Sequence, residues 1–244
     1  MPETPDRTPI ANAALSIVLL LPDASADWPQ VLHAWATYLD SLTRDYEILL
    51  VPVGDARLSP EETTRLTVEQ PRVRVLEPVT LGVGAAIRTG LTAARFPLFG
   101  YVACTSAYQP ADLGRMLDLI DHVDLVCGFR KGKARRPSLS PQAWVFRWLV
   151  RLVLGVHLKD VDCPFKLFRR SIFARIPIQS NSFLAHAEIV AKANFLGCLI
   201  AEVPVSCHAA QPAPRPTATR TPWREALRLI RHPDFGPPKL PQEG

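Results

Sequence analysis

The sequence predicts an α/β domain with a doubly wound, mostly parallel sheet and flanking helices. Short apolar runs rich in β-branched residues recur at Leu15–Leu21, Tyr46–Val53, Leu98–Cys104 and Val123–Gly128. Uninterrupted runs of this length suit strands buried on both faces, as in parallel sheets. Stretches with helical spacing separate them, as at Trp28–Leu42, where Val31, Leu32, Trp35 and Leu39 form one stripe. Strands alternating with helices give βαβ crossovers and hence a parallel sheet. With 244 residues and an apolar share of 48%, the chain suffices for one such domain and a tail.

In chain order, residues 1–12 are polar, carry Pro2, Pro5 and Pro9, and read as a disordered lead-in without a signal peptide. The domain is expected over 13–208. Its first apolar run, Ala13–Leu21, is too short for a bilayer, which needs about 20 apolar residues. Pro22-Asp23 ends the first strand. Pro52 lacks a donor and belongs at the end of the second, before a Gly54-Asp55 turn. Ser59-Pro60-Glu61-Glu62 reads as a cap and an acidic first turn. Val73–Leu76 is a short third strand, and Gly82-Val83-Gly84 opens a helix. Another helix is expected over Pro110–Asp121. A basic loop, Lys131–Arg136, leads to a very apolar helix over 144–156 that carries Arg147 and Arg151 on one face. That helix is either buried or seated in a membrane interface with its arginines at the headgroups. Val161–Phe168 and Phe173–Ile178 return to the core. A helix over Phe183–Leu196 places Glu188 and Lys192 four apart, as expected for a surface pair. Cys198–Val205 is the last strand. Residues 209–244 form a Pro-rich tail with an amphipathic helix at 223–230.

Charge and cysteine usage narrow the partners. A net charge of +5 favours anionic partners such as nucleotides, phosphorylated lipids or acidic membranes. Nucleic acid fits poorly, because no aromatics are interleaved with the basic residues as stacking platforms. The cysteines, five in number, include no C-x-x-C pair, so reduced and mostly buried thiols in a cytoplasmic protein are expected. The histidines form no cluster, and no Gly-x-Ser-x-Gly or Walker pattern is present.

Several pieces in fixed order resemble family 2 glycosyltransferases of the GT-A fold, in the dolichyl-phosphate mannosyltransferase-like branch. They are Tyr46-Glu47-Ile48-Leu49-Leu50-Val51, Gly82 to Gly90 (GVGAAIRTG), Gly128-Phe129-Arg130, Asp160 to Arg170 (DVDCPFKLFRR) and Ala201-Glu202-Val203-Pro204-Val205. The resemblance spans residues 14–208. It implies transfer of a sugar from a nucleotide-sugar to a polyprenyl phosphate or related acceptor. It also implies a nucleotide site built from Pro22, Asp23, Gly54, Asp55, Gly84, Arg88, Ala103 and Thr105.

The departures from that pattern are specific. Where such enzymes end the first strand with Pro, an aromatic, Asn and Glu, this chain has Pro22-Asp23-Ala24-Ser25. Where they end the second with Val-Asp-Asp-Gly-Ser, it has Val51-Pro52-Val53-Gly54-Asp55. The metal-binding Asp-x-Asp falls on Ala103-Cys104-Thr105, followed by Pro110-Ala111-Asp112-Leu113 in register. Mg²⁺ and Mn²⁺ require oxygen ligands, carboxylates above all, so no metal and no other cofactor is expected here. A diphosphate leaving group then needs another source of positive charge. Arg130, Arg135 and Arg136 are the expected clamp for a diphosphate or lipid phosphate, the alternative being a solvated basic loop.

Asp23 and Asp55 replace the lost acids or serve as turn residues. Gly84 and Arg88 support the nucleotide or pack a helix onto a strand. Asp160 and Asp162 act as base or orienting group near the acceptor, or pair with Lys166 or Arg169. His186 opens a helix near the acceptor side and reads as structural. Two functions follow: a metal-independent or inactivated sugar transferase, or a catalytically inactive member acting as a binding, regulatory or membrane-associated partner. Either is expected in the cytoplasm, with peripheral attachment to the inner face of the membrane through 144–156.

Overall fold

The structure is a computed structural model and describes residues 10, 12–23, 27–55, 57–131, 158–207 and 222–235. The strands are β1 (Leu15–Leu21), β2 (Tyr46–Pro52), β3 (Val73–Val75), β4 (Leu98–Ala103), β5 (Leu125–Arg130), β6 (Phe165–Arg169) and β7 (Ile200–Val205). The helices are α1 (Trp28–Asp40), α2 (Pro60–Glu69), α3 (Val83–Ala93), α4 (Asp112–Leu119), α5 (Ala185–Phe195) and α6 (Pro222–Arg231). The strands form one seven-stranded sheet in the order β3-β2-β1-β4-β6-β5-β7. β1 lies parallel to β2 and β4, β2 to β3, and β5 to β7. β6 runs antiparallel to both β4 and β5. Every strand but β6 therefore ends at one rim of the sheet, and β6 begins there.

Side-chain alternation along β1 supplies both faces. Leu15, Ile17, Leu19 and Leu21 pack with Trp35 and Leu39 of α1 and Met116 of α4. Val18 and Leu20 pack with Ala86 and Ile87 of α3 and Ile189 and Val190 of α5. Pro52 is the last residue of β2, beyond the Ile48–Leu50 stretch that pairs with β3, so its missing donor breaks no ladder bond. Ser59 caps α2 reciprocally: its Oγ accepts from Glu62 N at 3.1 Å, and its N–H donates to Glu62 Oε2 at 2.7 Å.

One expectation is corrected. Glu188 and Lys192 form an ion pair at 2.7 Å, but their side chains are only 2% and 4% exposed. The spacing was right and the setting wrong, because α5 is buried on nearly every side. The pair clamps the segment before the helix. Glu188 accepts from Gln179 N and Ser180 N, while Lys192 Nζ donates to the Pro177 carbonyl and to Gln179 Oε1. Residues 132–157, including the basic loop from Lys133 and the helix expected over 144–156, lie outside the described residues. No helix among the described residues is long and apolar enough to cross a membrane.

Candidate functional site

The rim where the parallel strands end is where an α/β sheet receives ligands. At its centre, β4 stops at Ala103. Cys104 extends the ladder by one bond, its N–H donating to the Leu20 carbonyl at 2.8 Å, and Thr105 N turns back onto the Ala103 carbonyl at 2.9 Å. Ser106 N donates to Asp27 Oδ2 at 3.2 Å, which laces this turn to the start of α1. Burial, with the Asp27 charge adding to it, pushes the Cys104 thiol up to about 12, so it stays protonated.

This donor set does not fit a hard divalent cation. Ala103 has no side-chain donor, Cys104 is a buried neutral thiol, Thr105 offers a neutral hydroxyl, and Asp27 brings a single carboxylate. Among the described residues no group of three or more His, Cys, Asp or Glu side chains could hold a metal. Asp27 was not a sequence candidate. Its signal was its place immediately before the Trp28-Pro29 helix start, where an N-cap residue belongs.

On the side of β1 and β2, the carboxylate of exposed Asp23 lies directly over Gly54. A Cβ at Gly54 would overlap it, so glycine is what admits the acid there. Pro22 is half-buried beside it, and Asp55 is exposed in the following turn. Gly82 and Gly84 open α3 as expected, and what presses against them is protein. Gly82 has φ +120°, and a Cβ on it would overlap the Asn181 carbonyl; one on Gly84 would overlap the Ser180 carbonyl. Gly84 N already donates to the Asn181 carbonyl at 2.8 Å. Arg88 faces the same segment, its Nη1 donating to the carbonyls of Ile178 (3.0 Å) and Ser180 (2.9 Å) and its Nη2 to Asn181 Oδ1. These groups therefore seat residues 178–181.

The side of β5 and β6 is ionic. Arg130, the last residue of β5, makes a two-pronged bond to Asp160, Nε to Oδ2 at 2.6 Å and Nη2 to Oδ1 at 2.8 Å, and its backbone N–H also reaches Oδ2. The expected partners of Asp160 were Lys166 or Arg169, and the structure supplies Arg130 instead. Arg169 turns away to the carbonyls of Ile120, Asp121 and Val123 at the end of α4. Burial works to raise the Asp160 carboxyl, but hydrogen bonds and charge from Arg130 outweigh it and hold it below its usual range. Asp162 lies half-buried on the same turn.

Behind the turn, Lys166 is fully buried and donates to the carbonyls of Val161 at 3.0 Å and Cys163 at 2.5 Å. His186 is buried, with Nδ1 3.1 Å from Tyr101 Oη and the two rings stacked 5.5 Å apart. Tyr108 bridges to Cys207, which brings the exit of β7 beside the β4 turn. Asp112 secures that junction by accepting from Ser206 N at 2.6 Å. The expected phosphate clamps Arg135 and Arg136 lie outside the described residues.

No family model matches the chain. Among curated proteins it is 24% identical over 225 residues to a dolichyl-phosphate beta-glucosyltransferase of Dictyostelium discoideum, covering 82% of this chain and 68% of that one. A dolichyl-phosphate beta-glucosyltransferase of Trichomonas vaginalis is 28% identical over 214 residues, at 80% and 66% coverage. A dodecaprenyl-phosphate galacturonate synthase of Rhizobium johnstonii is 22% identical over 178 residues, at 71% and 53% coverage. The chain is thus similar to sugar transferases of glycosyltransferase family 2 named for polyprenyl-phosphate substrates. It spans about two thirds of the length of the first two relatives and about half of the third. Its fold matches glucosyl-3-phosphoglycerate synthase of Mycobacterium tuberculosis, solved with Mg²⁺ and uridine diphosphate. The TM-score is 0.63 at 16% identity, covering 91% of this chain and 77% of that one. The sheet is thus a GT-A sheet, with β6 as its reversed strand.

Proposed function

We propose that this family 2 relative binds a nucleotide-sugar across the ends of β1, β2 and β4, and passes the sugar to a polyprenyl phosphate or related lipid phosphate without a metal ion. The observation that carries the reading is the contrast at the rim: the β4 turn lacks a metal donor set, while the Arg130–Asp160 unit at the end of β5 is intact. In this reading Arg130 balances charge on the departing diphosphate or the incoming phosphate, with Arg135 and Arg136 adding to it. Asp23 at Gly54 faces the base or ribose. Asp162 orients the acceptor, and Asp160 acts through Arg130. Curated relatives named for dolichyl and dodecaprenyl phosphates support the acceptor class.

The apolar segment 144–156 brings the protein to the inner face of the cytoplasmic membrane in this reading. Flotation with anionic vesicles tests that part: the Arg147→Glu, Arg151→Glu double variant should lose association, and unchanged flotation would count against it. The second reading, binding without transfer, is favoured by the lost acids at Pro52, Val53, Ala103 and Thr105. The two part on one assay, sugar transfer from UDP- and GDP-sugars to a short polyprenyl phosphate in the presence of EDTA. Glycolipid formation supports the first. Donor binding with no glycolipid under any condition supports the second.

A further inference from the structure

Lys166 takes no part in the reading above, yet it is the most fully enclosed cation near the rim. Its residue is 0% exposed, and it sits on β6 opposite Cys127 with the Tyr101 ring 5.9 Å from Nζ. A lysine completely removed from water is unfavourable unless its donors are used. Here they go to main-chain carbonyls, Val161 and Cys163, on the turn that enters β6. That same turn begins at Asp160, and Cys163 N closes it on the Asp160 carbonyl at 3.2 Å. Asp160 in turn grips Arg130 through side chain and backbone. The chain of contacts runs without a gap from the interior of the sheet to a guanidinium at the rim.

The geometry of the grip matters. Asp160 engages Nε and one Nη2 proton, one edge of the planar fork. The other edge, Nη1 with the second Nη2 proton, is not engaged by Asp160, and the Arg130 side chain is 26% exposed. Planar forks held on one edge are suited to take a phosphate on the other.

We propose that Lys166 is a positioning residue for phosphate binding: by bracing the 160–163 turn it makes Asp160 hold Arg130 as a fixed anion receptor. Asp160 is on this account a second positioning residue and not the base. The inference deepens the function proposed above and rests on it for the identity of the ligand. A bound phosphate comes either from the donor's diphosphate or from a lipid monophosphate, and both present the same oxyanion chemistry.

The test compares wild type with Lys166→Met and Asp160→Asn by titration calorimetry against UDP, inorganic diphosphate, farnesyl phosphate and uridine. Thermal melts run in parallel establish that the variants are folded. Both variants should bind at least one phosphate-bearing probe, UDP or farnesyl phosphate, about tenfold more weakly while uridine binding is unchanged. The phosphate probe that loses affinity identifies the source. A purely structural lysine would lower the melting temperature and leave the ratio of UDP to uridine affinity alone; that result overturns the inference without touching the functional reading. If Lys166→Met fails to fold, Asp160→Asn makes the same comparison. Wild type that binds diphosphate but neither UDP nor uridine defeats the functional reading only. Wild type that binds no phosphate probe defeats both.

Discussion

At the ends of β1, β2 and β4 the rim offers Asp23 over Gly54, Asp27 tied to Ser106, and a β4 turn of Ala103, Cys104 and Thr105. At the end of β5 and the start of β6 it offers Arg130 held by Asp160, with Lys166 on the carbonyls of Val161 and Cys163 in the turn that Asp160 begins. The halves differ in backbone as well as side chains: the first joins carboxyl ends of parallel strands, and the second joins the end of β5 to the start of the reversed strand β6. In the first half Ala103 and Thr105 offer a divalent cation no carboxylate, and Gly82, Gly84 and Arg88 face a neighbouring segment of protein. The second holds the Arg130 guanidinium by two hydrogen bonds to Asp160. Among the described residues the first half thus offers no donor set that fits a hard divalent cation, while the second holds a guanidinium on a carboxylate.

The largest effect is expected where the first half is anchored. If α3 seats residues 178–181, the buried Glu188–Lys192 pair that clamps the same segment bears on global stability. Lys192→Met leaves Glu188 buried and uncompensated and should cost about 3 kcal/mol in urea denaturation. A loss below about 0.5 kcal/mol would mean the segment is not held from α5.

Next comes the second half. Arg130→Lys keeps the charge but loses the two-pronged bond to Asp160, and should weaken UDP binding by about tenfold. Equal affinity would reduce Arg130 to a point charge. The first half can be rebuilt instead: Ala103→Asp with Thr105→Asp should make UDP binding increase several-fold on adding Mn²⁺, read by calorimetry. If Mn²⁺ has no effect on that variant, the missing acids are not what separates the halves.

His186 sits between the two, on Tyr101 and near Lys166 and Arg130. Burial and then those two charges hold its pKa well below the ordinary value. The neutral form is thus the folded form, so its contribution is complete above the unfolded pKa of about 6.5 and is lost as pH falls below it. Urea denaturation at pH 7.5 and 5.0 should give lower stability at the acid end, and His186→Phe should flatten that slope. The smallest effect belongs to Asp55, exposed in its turn: Asp55→Asn should change stability by less than about 0.5 kcal/mol and leave UDP affinity unchanged.

Much of the fold was legible because burial on two faces writes itself as apolar runs. LSIVLLL and YEILLVP could hardly be anything but central strands. β6 was less legible, since FKLFR is buried like its neighbours and nothing in its side chains records that it runs the other way. At the site, an absence such as Ala103 could be read from the chain, because a missing carboxylate needs no coordinates. Which cation meets which carboxylate could not. Asp160 is 30 residues from Arg130 in sequence, and only β6's reversal brings its turn to the end of β5. The same holds for Glu188 and Lys192, whose helical spacing is identical on a surface and in a core.

Wild-type protein titrated with UDP in EDTA and again in Mn²⁺ tests the central claim, that this rim holds phosphate without a metal, most directly. The account predicts the same affinity in both, weakening as salt is raised. Binding that appears only with Mn²⁺, or that strengthens tenfold on adding it, would contradict the account.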